Sequence, residues 1–219
     1  MTPISLLSEI AVTHPAASRV FHRHRLDYCC GGRRPLAEAC AARGLDPAAV
    51  LAEIAEAEAA DPDPARWESR PLPELIDFIV GRYHDDLRRE LPELVAMAAK
   101  VEQVHGEKAS CPRGLHEHLR IIHAAVLEHL DKEEHILFPM INAGAGARAS
   151  APVHAMEVEH DDHRQNLART RALTTDLVPP DEACTTWRAL YLRLQQLEAD
   201  LMQHIHLENN ILFPRALGH

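Results

Sequence analysis

The chain has 219 residues and a formal net charge of −10, and 46% of its residues are hydrophobic but only 4% aromatic. This length suits one medium-sized domain with a small appendage, and the acidic balance without a long Lys/Arg block argues against a nucleic-acid partner. Ala and Leu dominate the hydrophobic residues while runs of Val, Ile and Thr are scarce, which favours helices over sheets.

The N-terminal residues MTPISLLSEIAV have neither the basic region nor the long apolar run of a secretory signal. No apolar stretch reaches the roughly 18 residues of a membrane span, so no membrane association is expected. The five cysteines lack the spacing of a disulfide framework, which predicts a cytoplasmic protein with reduced thiols. Cys40, Cys111 and Cys184 are interpreted as small buried hydrophobic residues.

Residues 1–60 contain short periodic segments and predict a small helical domain that carries the motif LDYCCGG. A unit of about 60 residues is marginal alone, so we expect it to need support, for example in a homodimer. Residues 61–72 are rich in proline and predict a linker, with a domain boundary near residue 65.

Residues 73–219 contain four long helical patterns separated by turn-forming residues. Four long helices with short connections predict an antiparallel four-helix bundle, and the fold class is therefore all-α. The predicted helices span residues 73–105, 113–141, 151–176 and 182–216.

An internal repeat is the strongest signal in the sequence. His129 and Glu133, followed by ILFP, recur 75 residues later as His204 and Glu208, again followed by ILFP. The segment HDDLR that begins at His84 recurs 76 residues later as HDDHR. Because the offsets nearly agree, we predict a duplicated helical hairpin with one His on its first helix and His-x-x-x-Glu on its second.

These spacings place ligand-type side chains on the core face. Each helical residue turns by about 100°, so His129 and Glu133 project together, on a stripe that continues to Ile136, whereas Phe138 is expected on the opposite side. The histidines of the first and third helices also lie on apolar stripes. The predicted inward-facing set is His84, His129, Glu133, His160, His204 and Glu208.

A metal centre accounts best for such a set. Burial without partners is costly for imidazoles and more so for carboxylates. Four imidazoles and two carboxylates can serve two ions, with each carboxylate bridging, and such nitrogen and oxygen donors suit iron or manganese. A single His-x-x-x-Glu pair is usually a surface hydrogen bond, but two copies in register favour metal. His105, Glu159 and His163 are candidates to contact the ligands.

The residues now described resemble a known family. The doubled His-x-x-x-Glu with ILFP resembles hemerythrin-like bundles, and LDYCCGG at residues 26–32, with ACTTW and LENNILFPRAL, resembles the iron-sulfur cluster repair di-iron proteins. The resemblance covers essentially the whole chain. It implies two non-haem iron ions in an oxo- and carboxylate-bridged centre, held by the six residues above with Glu133 and Glu208 as bridges. It leaves open which His serves which ion.

The same resemblance implies repair of iron-sulfur clusters damaged by nitrosative and oxidative stress, with nitric oxide binding or reduction at the centre. The implied partners are proteins with damaged clusters and a diatomic ligand. An oxygen- or nitric-oxide-binding sensor or carrier is the alternative, and a nitric oxide reductase is a third hypothesis. Manganese and zinc also remain open.

Cys29 and Cys30 are candidates for redox chemistry or for transfer of iron or nitric oxide. Adjacent Cα atoms are about 3.8 Å apart, so a disulfide between them would be strained and free thiols are expected. Nearby arginines in the sequence predict a lowered thiol pKa. The alternative interpretation is a pair that merely packs at a helix end.

Overall fold

The computed structural model describes residues 1–60 and 66–218. Its N-terminal unit consists of four short helices around a small apolar core that includes Val20, Phe21 and Ile54. Asp46 caps the last of these helices by accepting a hydrogen bond from the Ala48 amide at 3.0 Å. The helices are α1 Leu7–Thr13, α2 Ala17–Arg23, α3 Leu36–Ala41 and α4 Pro47–Ala59.

The second part is an antiparallel bundle of four long helices, and three of them contain a π-helical turn. The predicted all-α fold is thereby confirmed. The first bundle helix comprises α5 Leu72–Ile79, the turn Val80–His84 and α6 Asp85–His105. The second comprises α7 Leu115–Lys132, the turn Glu133–Leu137 and α8 Phe138–Asn142, and the third is α9 Ser150–Leu173. The fourth comprises α10 Thr185–Leu207, the turn Glu208–Leu212 and α11 Phe213–Leu217.

Two apolar clusters fill the bundle on either side of the predicted ligands. One includes Leu91, Leu119 and Trp187, and the other includes Ile79 and Phe213. Along each bundle helix the predicted ligands fall where one cluster gives way to the other. Well-packed layers of this kind hold the polar layer between them rigidly.

The N-terminal unit packs against the bundle of its own chain. Met202 of α10 contacts both the N-terminal core and a bundle core. His22 of α2 lies 3.5 Å from the Glu198 carboxylate of α10. The bundle therefore supplies the apolar surface that a unit of this size requires.

Residues 61–65, which include the predicted domain boundary, lie outside the described residues. Leu72, the last residue of the predicted linker, already belongs to α5. Within residues 1–60 and 66–218, no helix is long and apolar enough to span a lipid bilayer.

Three expectations about burial were wrong. Ile136 is 54% exposed, and Leu137 and Phe138 are buried instead. The π-helical turn Glu133–Leu137 inserts a residue into the α-helical register, so the next side chain reaches the core. Cys184 is exposed at the start of α10, where its sulfur lies 3.2 Å from His105 Nε2.

Candidate metal centre

The bundle brings the six predicted ligand residues into one buried layer. All of them are at most 1% exposed: His84, His129, Glu133, His160, His204 and Glu208. They come from all four bundle helices, although 124 positions separate the first from the last in the sequence. Only the packing of the helices creates the layer.

The donors form two groups that share both carboxylates. One group is His84 and His204 with the two glutamates, and the other is His129 and His160 with the same glutamates. Within each group the ligand atoms lie within 4.8 Å of one another. The geometry thus pairs the histidines across the two repeats, which the sequence left open.

Both carboxylates face both groups. Glu208 has one oxygen 2.9 Å from His204 Nε2 and the other 3.2 Å from His160 Nε2. Glu133 Oε2 lies 3.4 Å from His84 Nε2 and 3.5 Å from His129 Nε2. This arrangement fits two carboxylates that bridge a pair of ions.

Polar partners fix three of the four imidazole rings through Nδ1. His84 Nδ1 lies 2.7 Å from Glu134, His129 Nδ1 lies 2.9 Å from Glu159, and His160 Nδ1 lies 2.8 Å from the Asn209 side-chain oxygen. Metal-binding histidines typically donate their second ring N–H to such oxygens, which orients the ring. The sequence analysis singled out Glu159 but missed Glu134 and Asn209.

The hydrogen bonds of His129 and His160 provide a test of whether a cation fits. The hydrogen bond from His129 lowers the pKa of Glu159 to about 2, so Glu159 is a carboxylate and Nδ1 of His129 is the donor. Asn209 Oδ1, whose amide nitrogen donates elsewhere, likewise accepts from His160. In neutral imidazoles both Nε2 atoms then carry only lone pairs.

These two Nε2 atoms nevertheless lie 3.1 Å apart and face each other. Two acceptors at this distance repel unless a cation lies beside them. A cation bound by both nitrogens would remove this repulsion. The spacing therefore suits an ion ligated by both histidines.

The carboxylates give a second indication. Both oxygens of Glu133 and one oxygen of Glu208 have no hydrogen-bond partner among the described residues. Burial, together with the neighbouring Glu208 charge, raises the pKa of Glu133 well above its usual value. Two buried carboxylates side by side need positive charge to be ionised together, and metal ions supply it.

Each π-helical turn borders a predicted ligand. His84 ends the first turn, whereas Glu133 begins the second and Glu208 begins the third. In each turn the closing amide bonds five residues back, for example from Phe138 to the Glu133 carbonyl. The prolines of the two ILFP segments, which lack an amide hydrogen, could have signalled this change of register.

The two halves of the centre differ although the ligands repeat. The repeat offsets of 75 and 76 residues relate Glu134 to Asn209, Tyr83 to Glu159 and Leu87 to His163. Glu159 binds His129, but its counterpart Tyr83 stacks on the His204 ring at a centroid distance of 5.8 Å. The half containing His129 and His160 is therefore the more polar one.

Three other histidines differ in whether they contact the predicted ligands. His163 is 3% exposed, its ring lies 4.9 Å from that of His129, and it falls outside both donor groups. His118 is buried but hydrogen bonds to the Asn166 carbonyl and Thr170, away from the centre. His105 does not contact the ligands, since it lies against Cys184 and Trp187.

The loop that carries Cys29 and Cys30 lies against the centre. Cys30 Sγ lies 3.7 Å from the His160 carbonyl oxygen, and the Asn209 amide donates to the Cys29 carbonyl at 3.2 Å. The two thiols are free, with their sulfurs 3.8 Å apart. Together with Asp27 they form a third group of potential metal donors.

The predicted lowering of the thiol pKa was wrong for Cys29. Its hydrogen bond with Cys30, its burial and the nearby Asp27 carboxylate raise the pKa of Cys29 well above the usual value. Two of the arginines close in sequence lie against carboxylates elsewhere, since Arg23 pairs with Glu53 and Arg25 pairs with Asp176.

Comparison with known proteins agrees with this architecture. The Hemerythrin family, described as the hemerythrin HHE cation binding domain, matches residues 75–216, and ScdA_N, a domain of unknown function (DUF542), matches residues 5–58. The iron-sulfur cluster repair protein YtfE of Musicola paradisiaca (strain Ech703) is 49% identical over 211 residues, which cover 96% of this chain and 95% of that protein. The chain belongs to the family of iron-sulfur cluster repair proteins.

Other members of the iron-sulfur cluster repair family are equally similar along their whole length. The proteins named YtfE from Yersinia pseudotuberculosis serotype IB (strain PB1/+) and Yersinia pestis (strain Pestoides F) are each 48% identical, over 96% of both chains. The family resemblance seen in the sequence is therefore confirmed. A cation-binding domain also agrees with the buried His and Glu groups of the bundle.

Proposed function

We propose that this protein repairs iron-sulfur clusters damaged by nitrosative and oxidative stress, and that it does so with two iron ions. The ligands would be His84 and His204 at one ion and His129 and His160 at the other, with Glu133 and Glu208 shared. The most direct support is that Nε2 of His129 and Nε2 of His160, which both carry lone pairs, face each other beside the two buried glutamates that both donor groups share. The relatives named as iron-sulfur cluster repair proteins support the biological role.

When bound, the two ions would supply one-electron redox chemistry and coordination positions for a diatomic ligand such as nitric oxide. The chain supplies the rest. Glu134, Glu159 and Asn209 hold three imidazoles in one tautomer, and the apolar layers above and below exclude bulk water. This burial disfavours direct contact of the centre with large substrates.

Metal analysis tests the proposed centre. We expect two iron ions per chain in protein purified from iron-replete cells, with the Mössbauer or EPR signature of a coupled pair. His129→Gln and His84→Gln should each lower the stoichiometry, whereas His118→Gln should not, because His118 lies outside both groups. One ion or none per wild-type chain would contradict the proposal.

We further propose that Cys29 and Cys30 pass iron, electrons or nitric oxide between the centre and a client protein. Their loop lies against His160, and Cys30 is only partly buried. Replacement of both by Ser should impair reactivation of an iron-sulfur enzyme inactivated by nitric oxide. Cys184→Ser, at an exposed and distant site, is the matched control. Unchanged repair in the double variant would disprove this role.

A diatomic-ligand carrier or sensor is the alternative function, and the full burial of the centre favours it over chemistry on larger substrates. Reversible binding of oxygen or nitric oxide without any repair of client clusters would favour that alternative. Nitrous oxide in the headspace over the reduced protein and nitric oxide would instead indicate a reductase. In each case we expect the protein to act in the cytoplasm, and a homodimer stays a prediction.

A further inference from the structure

His163 is a buried imidazole that the proposed ligand set does not use. It is 3% exposed, and neither ring nitrogen has a hydrogen-bond partner within the described part of the chain. Every other buried histidine outside the ligand set, namely His118 and His206, has such a partner. An unpaired polar group buried this deeply is unfavourable unless something else binds it.

The surroundings of His163 are the ligands themselves. Its ring meets the His129 ring edge-on, with centroids 4.9 Å apart and an interplanar angle of 89°. It lies one helical turn from His160 on α9. It is nevertheless outside both groups whose donor atoms lie within 4.8 Å of one another, so it flanks the ions rather than joining the ligand set.

The internal repeat shows that the two halves of the centre differ at this position. Leu87 is the counterpart of His163, and it is equally buried, within an apolar cluster. The half that contains His84 and His204 thus has an apolar side chain where the other half has a hydrogen-bonding one. The half with His84 and His204 also differs at Tyr83, which stacks on His204, because the corresponding residue in the other half is Glu159.

We propose that His163 is a specificity-determining residue that hydrogen bonds to a small exogenous ligand, an anion or a polar diatomic molecule, at the ion held by His129 and His160. A neutral imidazole offers one donor and one acceptor, and one of them would meet the bound ligand. Because Leu87 cannot do the same, the ligand binds to one half of the centre in preference to the other. This inference rests on the proposed two-iron centre.

Azide binding to the oxidised, iron-loaded protein tests the proposal. Titration of the azide charge-transfer absorption, with iron content measured in parallel, should show about tenfold weaker binding for His163→Leu at unchanged iron stoichiometry. The stretching frequency of bound azide should shift in the same variant. His163→Gln, which keeps a donor and an acceptor, should recover most of the affinity, and Leu87→Met is the control in the opposite half.

The outcomes distinguish the proposed role of His163 from the proposed two-iron centre. Equal azide affinity and frequency in wild type and His163→Leu, with two ions in both, would overturn the role of His163 and leave the proposed centre intact. Loss of one ion in His163→Leu would also overturn it, since His163 would then be a ligand. Failure of the wild-type protein to bind two ions would contradict the proposed function instead.

Discussion

Asn209 joins a predicted metal ligand to the cysteine loop: its side-chain oxygen accepts from His160 Nδ1 at 2.8 Å, and its amide donates to the Cys29 carbonyl at 3.2 Å. One side chain therefore positions the imidazole of His160 and the backbone of the thiol loop together. In the other repeat the same position is Glu134, which binds His84 but has no thiol loop beside it.

Asn209→Ala should weaken metal binding by about 10–100-fold, because it removes the oxygen that orients His160. Competition with a chelator of known affinity measures the change. The matched control is Asn210→Ala, since Asn210 donates to the Tyr28 carbonyl but contacts no predicted ligand. Equal losses in the two variants would show that attachment of the loop, not orientation of His160, controls metal affinity.

Glu133→Leu should make the metal-free protein more stable while abolishing binding of the ion pair. Both Glu133 oxygens lack hydrogen-bond partners among the described residues, and an unsatisfied buried polar group costs about 1–3 kcal/mol. In a chain of this size the gain should raise Tm by about 2–4 °C per kcal/mol. Calorimetry of chelator-treated protein gives this value.

Glu134→Gln should have the opposite effect on the metal-free protein, because Glu134 has partners in Arg88 and His84. A lower Tm for Glu133→Leu than for wild type would refute the prediction. Added metal should stabilise the wild type in proportion to its free concentration, but should not stabilise Glu133→Leu to the same extent.

Glu198 should make stability depend on acid pH. Burial raises the pKa of Glu198, but the nearby His22 ring and the hydrogen bonds from Arg171 outweigh it and leave the pKa below its usual value. Because the folded-state pKa is the lower one, the contribution is fully present above the unfolded-state value, about 4.3, and is lost as the pH falls through the folded-state pKa.

Glu198→Gln should therefore be about 1–3 kcal/mol less stable than wild type near pH 7, since a charged, mostly buried hydrogen-bonding group is lost. Urea unfolding across pH 2–7 should show the two curves converging at the acid end. A difference that stayed constant over this range would mean that the effect comes from packing rather than from charge.

Gly32 should tolerate no side chain, whereas Gly31 should. A Cβ on Gly32 would lie 2.5 Å from the Tyr28 carbonyl oxygen and 2.8 Å from Ser8 Cβ, so backbone must move. The atoms nearest to a Cβ on Gly31 all belong to the Asp27 side chain rather than to backbone, so a smaller adjustment suffices. Gly32→Ala should thus be destabilised by about 1–3 kcal/mol and expose Cys29 to alkylation, as mass spectrometry can detect.

Gly31→Ala is the matched control for this pair, and its stability should stay within about 0.5 kcal/mol of wild type. Similar stability and thiol reactivity in both variants would show that the close approach at Gly32 is not needed to hold the cysteine loop.

The repeat in the sequence determined most of the candidate site. Two His-x-x-x-Glu pairs and two further histidines at nearly equal offsets identified all six residues of the buried layer, because helical periodicity fixes which side chains share a face. The four bundle helices were predicted to within about three residues at each end, since turn-forming residues mark the connections.

Local periodicity failed where the helix itself departs from the α form. Ile136 was expected in the core, but the π-helical turn shifts Leu137 into its place. The pKa of Cys29 could not be predicted either, because the hydrogen bond with Cys30 and the burial that raise it arise only in the folded chain.

The sequence by itself therefore determined the fold class, the six-residue donor set and the family. The donor set depends on residue spacing along single helices, and the family on motifs that are continuous in the sequence. Only the tertiary structure decided which histidines fall in the same donor group, that Glu134 and Asn209 orient two of them, and that His163 lies beside His129. These relations join residues on different helices, and their distances depend on how the helices pack rather than on spacing along any one of them.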